Sequence, residues 1–260
     1  SYELEALKAQ AVCARSYAFR QMTSYGYPEY EAHVNDSTDF QVYNNSERQE
    51  SSTRAVTETE GQVVRYKGEI ATTYYYSTSC GRTTSLEAWG TDPGGGGGYL
   101  QSVEVCGEQG DYEKELPWYR WTAQVPVQTL SALVSANTGV QVGTLSSVEV
   151  TKRGPGDVAL QIVASGDAGS VTVDTENKIR GALGGSGYTI TKNDGSTSQS
   201  TALLPSAFFT IEKSGDTFVI SGGGFGHGIG MSQNGANEMA KQGADYREIL
   251  QMFYKDVEIS

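Results

Sequence analysis

The sequence is poor in cysteine and in long apolar runs, and each shortage excludes a class of protein. Three cysteines in 260 residues are too few, and odd in number, for a disulfide framework. No segment approaches the roughly 20 apolar residues that a membrane-spanning helix needs. Lys and Arg total 19 against 31 Asp and Glu, so the net charge is −12. This balance argues against non-specific binding to nucleic acid or to an anionic membrane, because both need clustered positive charge.

The residues that are abundant indicate a folded chain with many turns. Glycine occurs 32 times, and aromatic residues make up 10% of the sequence, with 16 Tyr against 7 Phe. Such a content of aromatics argues against disorder, and 260 residues suffice for one large or two ordinary domains. Because the first residues run directly into a helical pattern without a Met, we expect any secretion signal or anchor to lie upstream.

Hydrophobic periodicity predicts an α+β protein that carries an inserted lobe. The predicted helices cover residues 3–22, 128–136, 179–183, 234–242 and 246–254. The predicted strands cover residues 61–66, 69–76, 148–150, 158–163, 171–173, 207–212 and 217–220. A Lys67-Gly68 turn is predicted between the first two strands. Residues 194–200 are predicted as a polar loop. We expect one domain over residues 1–260, with a small β-rich lobe inserted at about 117–200.

The first predicted helix carries a candidate general acid, Glu5. Two stripes follow the helical period: Leu4, Leu7, Ala11, Ala14 and Ala18, and beside them Glu5, Ala9, Val12, Ser16 and Phe19. Partial burial of Glu5 would favour the protonated form that a general acid needs near neutral pH, while the helix N-terminus acts in the opposite direction. An ordinary first-turn glutamate that favours the helix dipole fits the pattern too.

A glycine-rich segment near the end of the chain presents the second candidate, His227. Glycines on both sides would let the backbone approach a ligand closely. A contact to a polar ligand, a contact to a metal and a hydrogen-bonded structural histidine all remain open. The segment does not match a phosphate-binding loop, because neither Lys nor Arg follows the glycines.

A hydroxyl-rich loop, Ser77 to Ser79, follows a predicted strand and could bind sugar hydroxyls or form only a turn. Cys80, next to it, would need a nearby base to act as a nucleophile. Cys80 and Cys106 could also form a disulfide or join a histidine at a zinc ion. No CxxC or HxxxH spacing supports zinc. Cys13, among helical alanines, is predicted to lie in the core.

Several blocks, in this order along the chain, resemble the stage II sporulation protein D family, which includes the amidase enhancers. The blocks are EALKAQAVCARSY (5–17), DSTDFQVY (36–43), YYSTSCGRT (75–83), YLQSV (99–103), KIR followed by ALG (178–184) and GHGIGMSQNGA (226–236). The resemblance extends over nearly the whole chain, and it includes the middle lobe.

The resemblance implies a peptidoglycan lytic transglycosylase that acts in sporulation, outside the cytoplasm, on glycan strands whose stem peptides an amidase has removed. By motif, the catalytic acid/base falls on Glu5. One carboxyl suffices when the 6-hydroxyl of the sugar attacks, whereas a hydrolase usually needs two. The residues expected to line the glycan groove are Arg15, Gln41, Tyr43, Ser77, Thr78, Ser79, His227, Ser232 and Gln233.

The same resemblance leaves a second function open, that of a glycan-binding enhancer of a cell-wall amidase without turnover of its own. No cofactor is expected, and the acidic charge argues against a nucleic-acid partner. Tyr76 stands where some relatives carry a histidine that is associated with zinc, so a metal is not expected. Membrane contact is expected only through a segment outside these residues.

Overall fold

The computed structural model describes residues 2–23, 25–37, 40–41, 47–92, 94 and 96–260. The chain forms two compact units, the first built from residues 1–75 and 236–260 and the second from residues 76–235. Helices and small antiparallel sheets are mixed along the chain, which confirms the predicted α+β class. Within the described residues, no helix has both the length and the apolar character to cross a bilayer. The single domain and its inserted lobe stay predictions.

The elements of regular structure have the following bounds. The α-helices are α1 (Leu4–Gln21), α2 (Glu50–Glu58), α3 (Val127–Thr138), α4 (Glu176–Leu183), α5 (Gln233–Lys241) and α6 (Tyr246–Phe253). The strands are β1 (Val64–Tyr66), β2 (Glu69–Ile70), β3 (Tyr75–Tyr76), β4 (Cys106–Gly107), β5 (Gly110–Asp111), β6 (Trp121–Pro126), β7 (Leu145–Arg153), β8 (Ala159–Gly166), β9 (Gly169–Asp174), β10 (Thr189–Lys192), β11 (Thr197–Gln199), β12 (Phe209–Ser214), β13 (Thr217–Gly222), β14 (Met231–Ser232) and β15 (Glu258–Ile259).

The first unit is organised around α1, which buries small side chains. Its fully or nearly buried residues are Ala6, Ala9, Val12, Cys13, Ser16 and Tyr17. Most of the second predicted stripe is therefore buried, and the leucine stripe is only half-buried. Small side chains let α2 and α6 pack close to α1. The Ser16 hydroxyl also accepts a hydrogen bond of 2.8 Å from the backbone N–H of Val64, which attaches β1 to the helix.

A tight hairpin follows α2 and confirms the turn predicted at residues 67–68. Lys67 and Gly68 both have positive φ, 51° and 83°, as a two-residue hairpin turn of the primed type requires. β1 pairs with β2 on one side and with β15 on the other, so the last residues of the chain complete a three-stranded sheet.

The second unit contains a five-stranded antiparallel sheet and a three-stranded one. The order in the larger sheet is β11-β10-β6-β13-β12, and the smaller sheet is β7-β8-β9. Along β6, Trp121, Ala123 and Val125 are buried and the alternate residues are exposed. The indole N–H of Trp121 donates to the backbone oxygen of Gly224 at 3.0 Å, so the central strand is attached to the glycine-rich segment.

Several helices and strands of the structure were not predicted from the sequence. No helix or strand was predicted at α2, β6 or β10, and β11 lies within the segment predicted as a polar loop. β6 has the apolar-polar alternation that marks a half-buried strand, so this signal was present in the sequence. β10 and β11 are short and rich in Thr and Ser. They become strands through pairing in the sheet, β10 with β6 and β11 with β10.

Helix α6 begins with a complete capping box. The Asp245 side chain accepts hydrogen bonds from the backbone N–H groups of Arg247 and Glu248 at 2.8 and 2.9 Å, and the Glu248 carboxylate accepts one from the Asp245 N–H at 2.9 Å. Three backbone N–H groups at the start of α6, which have no acceptor inside the helix, thereby donate to side chains.

We expect Asp245→Ala to lower the free energy of unfolding by about 1 kcal/mol, because the cap is lost. Asp245→Asn is the matched control: it retains an acceptor oxygen and should cost less than half as much. Urea unfolding followed by circular dichroism measures both. Equal losses in the two variants would contradict the assignment of the cap.

Candidate functional site

Glu5 lies in the first turn of α1, and both of its carboxylate oxygens have partners within the first unit. Oε1 forms an ion pair with Lys8 Nζ at 2.7 Å, and Oε2 accepts a hydrogen bond of 3.0 Å from the backbone N–H of Tyr246. That N–H belongs to the first residue of α6, so Glu5 acts as an additional cap of that helix. The Glu5 side chain retains 31% of its exposure, which leaves the carboxylate oriented but accessible.

A second carboxylate shares the same lysine. Lys8 Nζ lies 2.7 Å from Glu58 Oε2, and Glu58 Oε1 forms a further ion pair with Arg54 at 2.6 Å. The hydrogen bonds that Lys8 donates to Glu5 and Glu58 raise the pKa of Lys8, and those that Glu58 accepts from Lys8 and Arg54 lower the pKa of Glu58. Lys8 therefore remains a cation at neutral pH, and Glu5 and Glu58 both lie within ion-pair distance of it.

Two other predicted groove residues of the first unit have structural contacts. The Arg15 guanidinium donates to the backbone oxygens of Thr59 and Gln62, both at 2.8 Å, and so closes the end of α2. The Gln41 side chain donates to the Ala14 oxygen and accepts from the Tyr75 hydroxyl at 2.7 Å. That Arg15 and Gln41 line a glycan groove stays a prediction, and these contacts do not favour it. Tyr43 lies outside the described residues.

In the second unit, the predicted hydroxyl-rich loop points inward. Thr78, Ser79 and Ser232 are each no more than 1% exposed. The Thr78 hydroxyl accepts a hydrogen bond from the Asn234 amide at 2.9 Å and approaches the Ser77 hydroxyl at 3.1 Å. The loop lies against the segment from Ser232 onward, but these buried hydroxyls satisfy protein groups and do not face a solvent-exposed groove, so their place in a glycan groove stays a prediction. Gln233 is half-buried at the start of α5.

Glu113, which the sequence analysis missed, lies where these segments meet. Its side chain is fully buried. Oε1 accepts from the Ser79 N–H at 3.0 Å and from the Ser232 hydroxyl at 2.8 Å, and Oε2 accepts from the Ser79 hydroxyl. Glu113 belongs to a polar stretch without periodicity, and its partners are 34 and 119 residues away along the chain. No local signal could have identified it.

We expect Glu113→Ala to lower the free energy of unfolding by about 3 kcal/mol, because buried donors lose their acceptor. Glu115→Ala, an exposed acidic position in the same stretch, is the control and should change stability by less than about 0.5 kcal/mol. Urea unfolding monitored by tryptophan fluorescence compares the two variants. A loss below 1 kcal/mol for Glu113→Ala would mean that the carboxylate is dispensable.

His227 lies among aromatic rings and is hydrogen-bonded to the backbone. Its Nδ1 accepts from the Ile229 N–H at 3.1 Å, so Nε2 bears the proton in the neutral form. The rings of Tyr76 and Trp89 lie 5.5 and 5.1 Å from the imidazole, measured between centroids. The Trp89 indole donates to buried Glu176 at 3.2 Å. Of the three open alternatives, the contacts favour a positioned structural histidine, and its role in a groove stays a prediction.

All three cysteines are free thiols, so the disulfide between Cys80 and Cys106 is absent. Cys13 is buried, which confirms its predicted place in the core. Burial raises the pKa of its thiol to about 12. Burial also raises the pKa of Cys80, against the influence of Arg82 and Arg120, which disfavours a nucleophilic thiolate. Within the part of the chain that the structure describes, no group of three His, Cys, Asp or Glu side chains is placed to hold a metal ion.

We expect iodoacetamide at pH 8 to modify Cys106 first in the folded protein, since Cys106 is half-buried whereas Cys13 and Cys80 are buried. Desolvation and the nearby Glu104 and Asp111 raise the Cys106 pKa, so its alkylation should be slower than that of free cysteine and should accelerate as the pH rises. Intact mass followed by peptide mapping gives the order of modification. Protection of Cys80 and Cys106 together, lifted by reductant, would instead indicate a disulfide.

The fold and the site define an α+β protein with a positioned, accessible glutamate at the start of its first helix. A family model described as stage II sporulation protein matches residues 1–66, and a model for a domain of unknown function matches residues 101–230. The first match lies in the first unit and the second match in the second unit.

Comparison with curated proteins shows the family. The chain is 32% identical to an uncharacterised protein of Brachyspira hyodysenteriae over 99% of its length, 31% identical to stage II sporulation protein D of Bacillus amyloliquefaciens over 100%, and 28% identical to an amidase enhancer of Bacillus subtilis over 98%. It spans 62%, 69% and 38% of those three proteins. The chain belongs to the stage II sporulation protein D family.

Proposed function

We propose that this protein is a lytic transglycosylase of peptidoglycan that cleaves the bond between N-acetylmuramic acid and N-acetylglucosamine in strands without stem peptides. The observation that carries the proposal is the Glu5 carboxylate, which is oriented by Lys8 and the N-terminus of α6 yet 31% exposed. A group that exchanges protons with a substrate must be both positioned and reachable.

The reaction needs one group that first donates and then accepts a proton. Protonated Glu5 gives its proton to the glycosidic oxygen as the bond from that oxygen to C1 of the muramic acid breaks. The 6-hydroxyl of the same sugar then forms a bond to C1, and its proton passes to Glu5. The products are a free hydroxyl on N-acetylglucosamine and a 1,6-anhydro sugar, and no water is consumed. Holding the attacking hydroxyl within the substrate converts this step into an intramolecular one.

The contacts of Glu58 favour this chemistry over hydrolysis. A hydrolase of such bonds usually uses a second carboxylate as nucleophile or as the base that activates water. Glu58 is the other carboxylate that contacts Lys8, and both of its oxygens are in ion pairs, one with Lys8 and one with Arg54. Glu58 therefore serves to balance the charge of Lys8 while the protonation state of Glu5 changes.

The names of the relatives support a setting for this activity. Two of them, from Bacillus species, are named for stage II of sporulation, and a third is named an amidase enhancer. An amidase that removes stem peptides would supply the strands on which this protein acts. The setting is then the cell wall during sporulation, outside the cytoplasm.

We expect Glu5→Gln to reduce the formation of anhydro-ended glycans by roughly 100- to 10,000-fold, because the amide cannot exchange the proton. Gln retains an oxygen that accepts from the Tyr246 N–H, so the fold and glycan binding should persist. Mass spectrometry of products from amidase-treated peptidoglycan, with wild type and variant side by side, measures the effect.

The control for this experiment is Glu60→Gln, which removes one exposed charge from the same unit and should leave the product yield unchanged. Products with reducing ends from the wild type would point to hydrolysis and to a second carboxylate. Anhydro products from Glu5→Gln at the wild-type rate would remove Glu5 from the mechanism.

The second candidate function is a non-catalytic enhancer that binds glycan and positions an amidase. The relative named amidase enhancer, which aligns with 98% of the chain, favours it. Absence of products from the wild type, together with retained glycan binding and a faster amidase reaction in its presence, would select this function.

A further inference from the structure

The second unit contains a cavity of about 280 Å³ whose lining has a positive charge, although the chain has a net charge of −12. Three arginines line it, Arg82, Arg120 and Arg153, and Asp157 is the one acidic residue among the lining side chains. The remaining arginine of that unit, Arg180, is paired at 2.6 Å with buried Glu176. The guanidinium groups of the unit that are not neutralised by a buried carboxylate therefore converge on this cavity.

The arginines are held in place but keep capacity for a ligand. Arg120 donates to the Cys80 and Tyr119 backbone oxygens at 3.0 and 2.7 Å, and its guanidinium lies 3.9 Å from the centroid of the Tyr119 ring. Such contacts fix the side chain without cancelling its charge. Arg82 is 47% exposed, and one contact to Asp157, at 3.3 Å, is its only hydrogen bond to a side chain among the described residues.

Asp157 occupies the position that a ligand carboxylate would take. Its two oxygens contact Arg82 at 3.3 Å and Arg153 at 3.5 Å. Both distances are long for charge-assisted contacts, which normally measure about 2.7–2.9 Å. Asp157 is 55% exposed and has a φ of 66°, a backbone conformation that Asn also tolerates. A second carboxylate can therefore share these guanidinium groups.

Hydroxyl groups continue the cavity away from the arginines. Thr122, Ser221 and Thr210 lie side by side on the adjacent strands β6, β13 and β12, and all three are exposed and line the cavity. Gly223 completes the wall, where a Cβ atom would lie 2.7 Å from Cys80 Cβ and 3.0 Å from Arg120 Nη1. A side chain at this position of the glycine-rich segment would therefore collide with its neighbours, which explains why glycine stands there.

We propose that this cavity binds the carboxylate of a sugar acid, namely the lactyl carboxylate of N-acetylmuramic acid, with the hydroxyl row facing the sugar. The inference rests on the proposed function. Removal of a stem peptide leaves a free carboxylate on every second sugar, so the substrate is a polyanion. An acidic protein needs a local positive site to bind it, and arginine forks match a carboxylate in two-point geometry. The cavity would then distinguish bare strands from peptide-bearing ones.

The test is an NMR titration of ¹⁵N-labelled protein with N-acetylmuramic acid, in a Glu5→Gln background so that turnover cannot affect the readout. Arg82→Gln should raise the Kd about tenfold. Asp157→Asn should lower the Kd, about threefold, because it removes the carboxylate that competes for the same guanidinium groups. Lys152→Gln, a charge removal next to Arg153 but outside the lining, should change the Kd less than twofold.

Two ligand controls define the chemistry that is recognised. N-acetylglucosamine, which lacks the lactyl carboxylate, should give no saturable shifts at cavity residues. Inorganic phosphate should compete only weakly, and a lower Kd for phosphate than for N-acetylmuramic acid would overturn the proposal in favour of a phosphate site.

The variants give a further criterion. Equal Kd values for the Glu5→Gln protein and for the same protein carrying Arg82→Gln or Asp157→Asn would also overturn the proposal. Products from the wild type with no binding at the cavity would refute this inference alone, and binding without products would refute the proposed reaction alone.

Discussion

The arrangement of the second unit depends on one buried carboxylate, that of Glu113. Moving a charge out of water is costly unless donors replace the lost hydration, and here the Ser79 N–H and the hydroxyls of Ser79 and Ser232 do so. The hydroxyls of Ser79 and Ser232 depend on Glu113 in turn, because a buried hydroxyl also needs an acceptor. Two segments far apart in sequence are thus held at one point, and Gly235 is close enough that a Cβ there would lie 2.9 Å from Glu113 Oε2.

Glu5 shows how the same chemical group serves a different purpose when its surroundings change. Its partners are a lysine that it shares with Glu58 and the exposed end of a helix, and part of its surface remains open to solvent. In the proposed reaction, the carboxylate must reach the substrate to exchange a proton with it. Glu113 is embedded among three hydrogen bonds and serves packing, whereas Glu5 is oriented by two contacts and remains accessible to a substrate.

The sequence predicted the elements that carry a local pattern. The helix period and the Lys67-Gly68 turn are examples, since both are encoded by adjacent residues, and α1 and the β1-β2 hairpin follow from them. The strands β10 and β11 were missed because their Thr and Ser residues become strands only through pairing in the sheet, β10 with β6 and β11 with β10. For the candidate site, the motif located Glu5 and the hydroxyl loop. It could not tell that Thr78 and Ser79 turn inward, since exposure is a property of the folded chain.

By itself, the sequence determined the family and the α+β class and singled out Glu5 as the candidate acid/base, because these depend on residue identity and on spacing along the chain. Only the tertiary structure decided which charges meet. Lys8 lies between Glu5 and Glu58, Glu113 is enclosed by two serines, and Arg82, Arg120 and Arg153 surround one cavity. Each of these groups combines residues from separate segments, and electrostatic interactions depend on distance in space, which the order of residues does not specify.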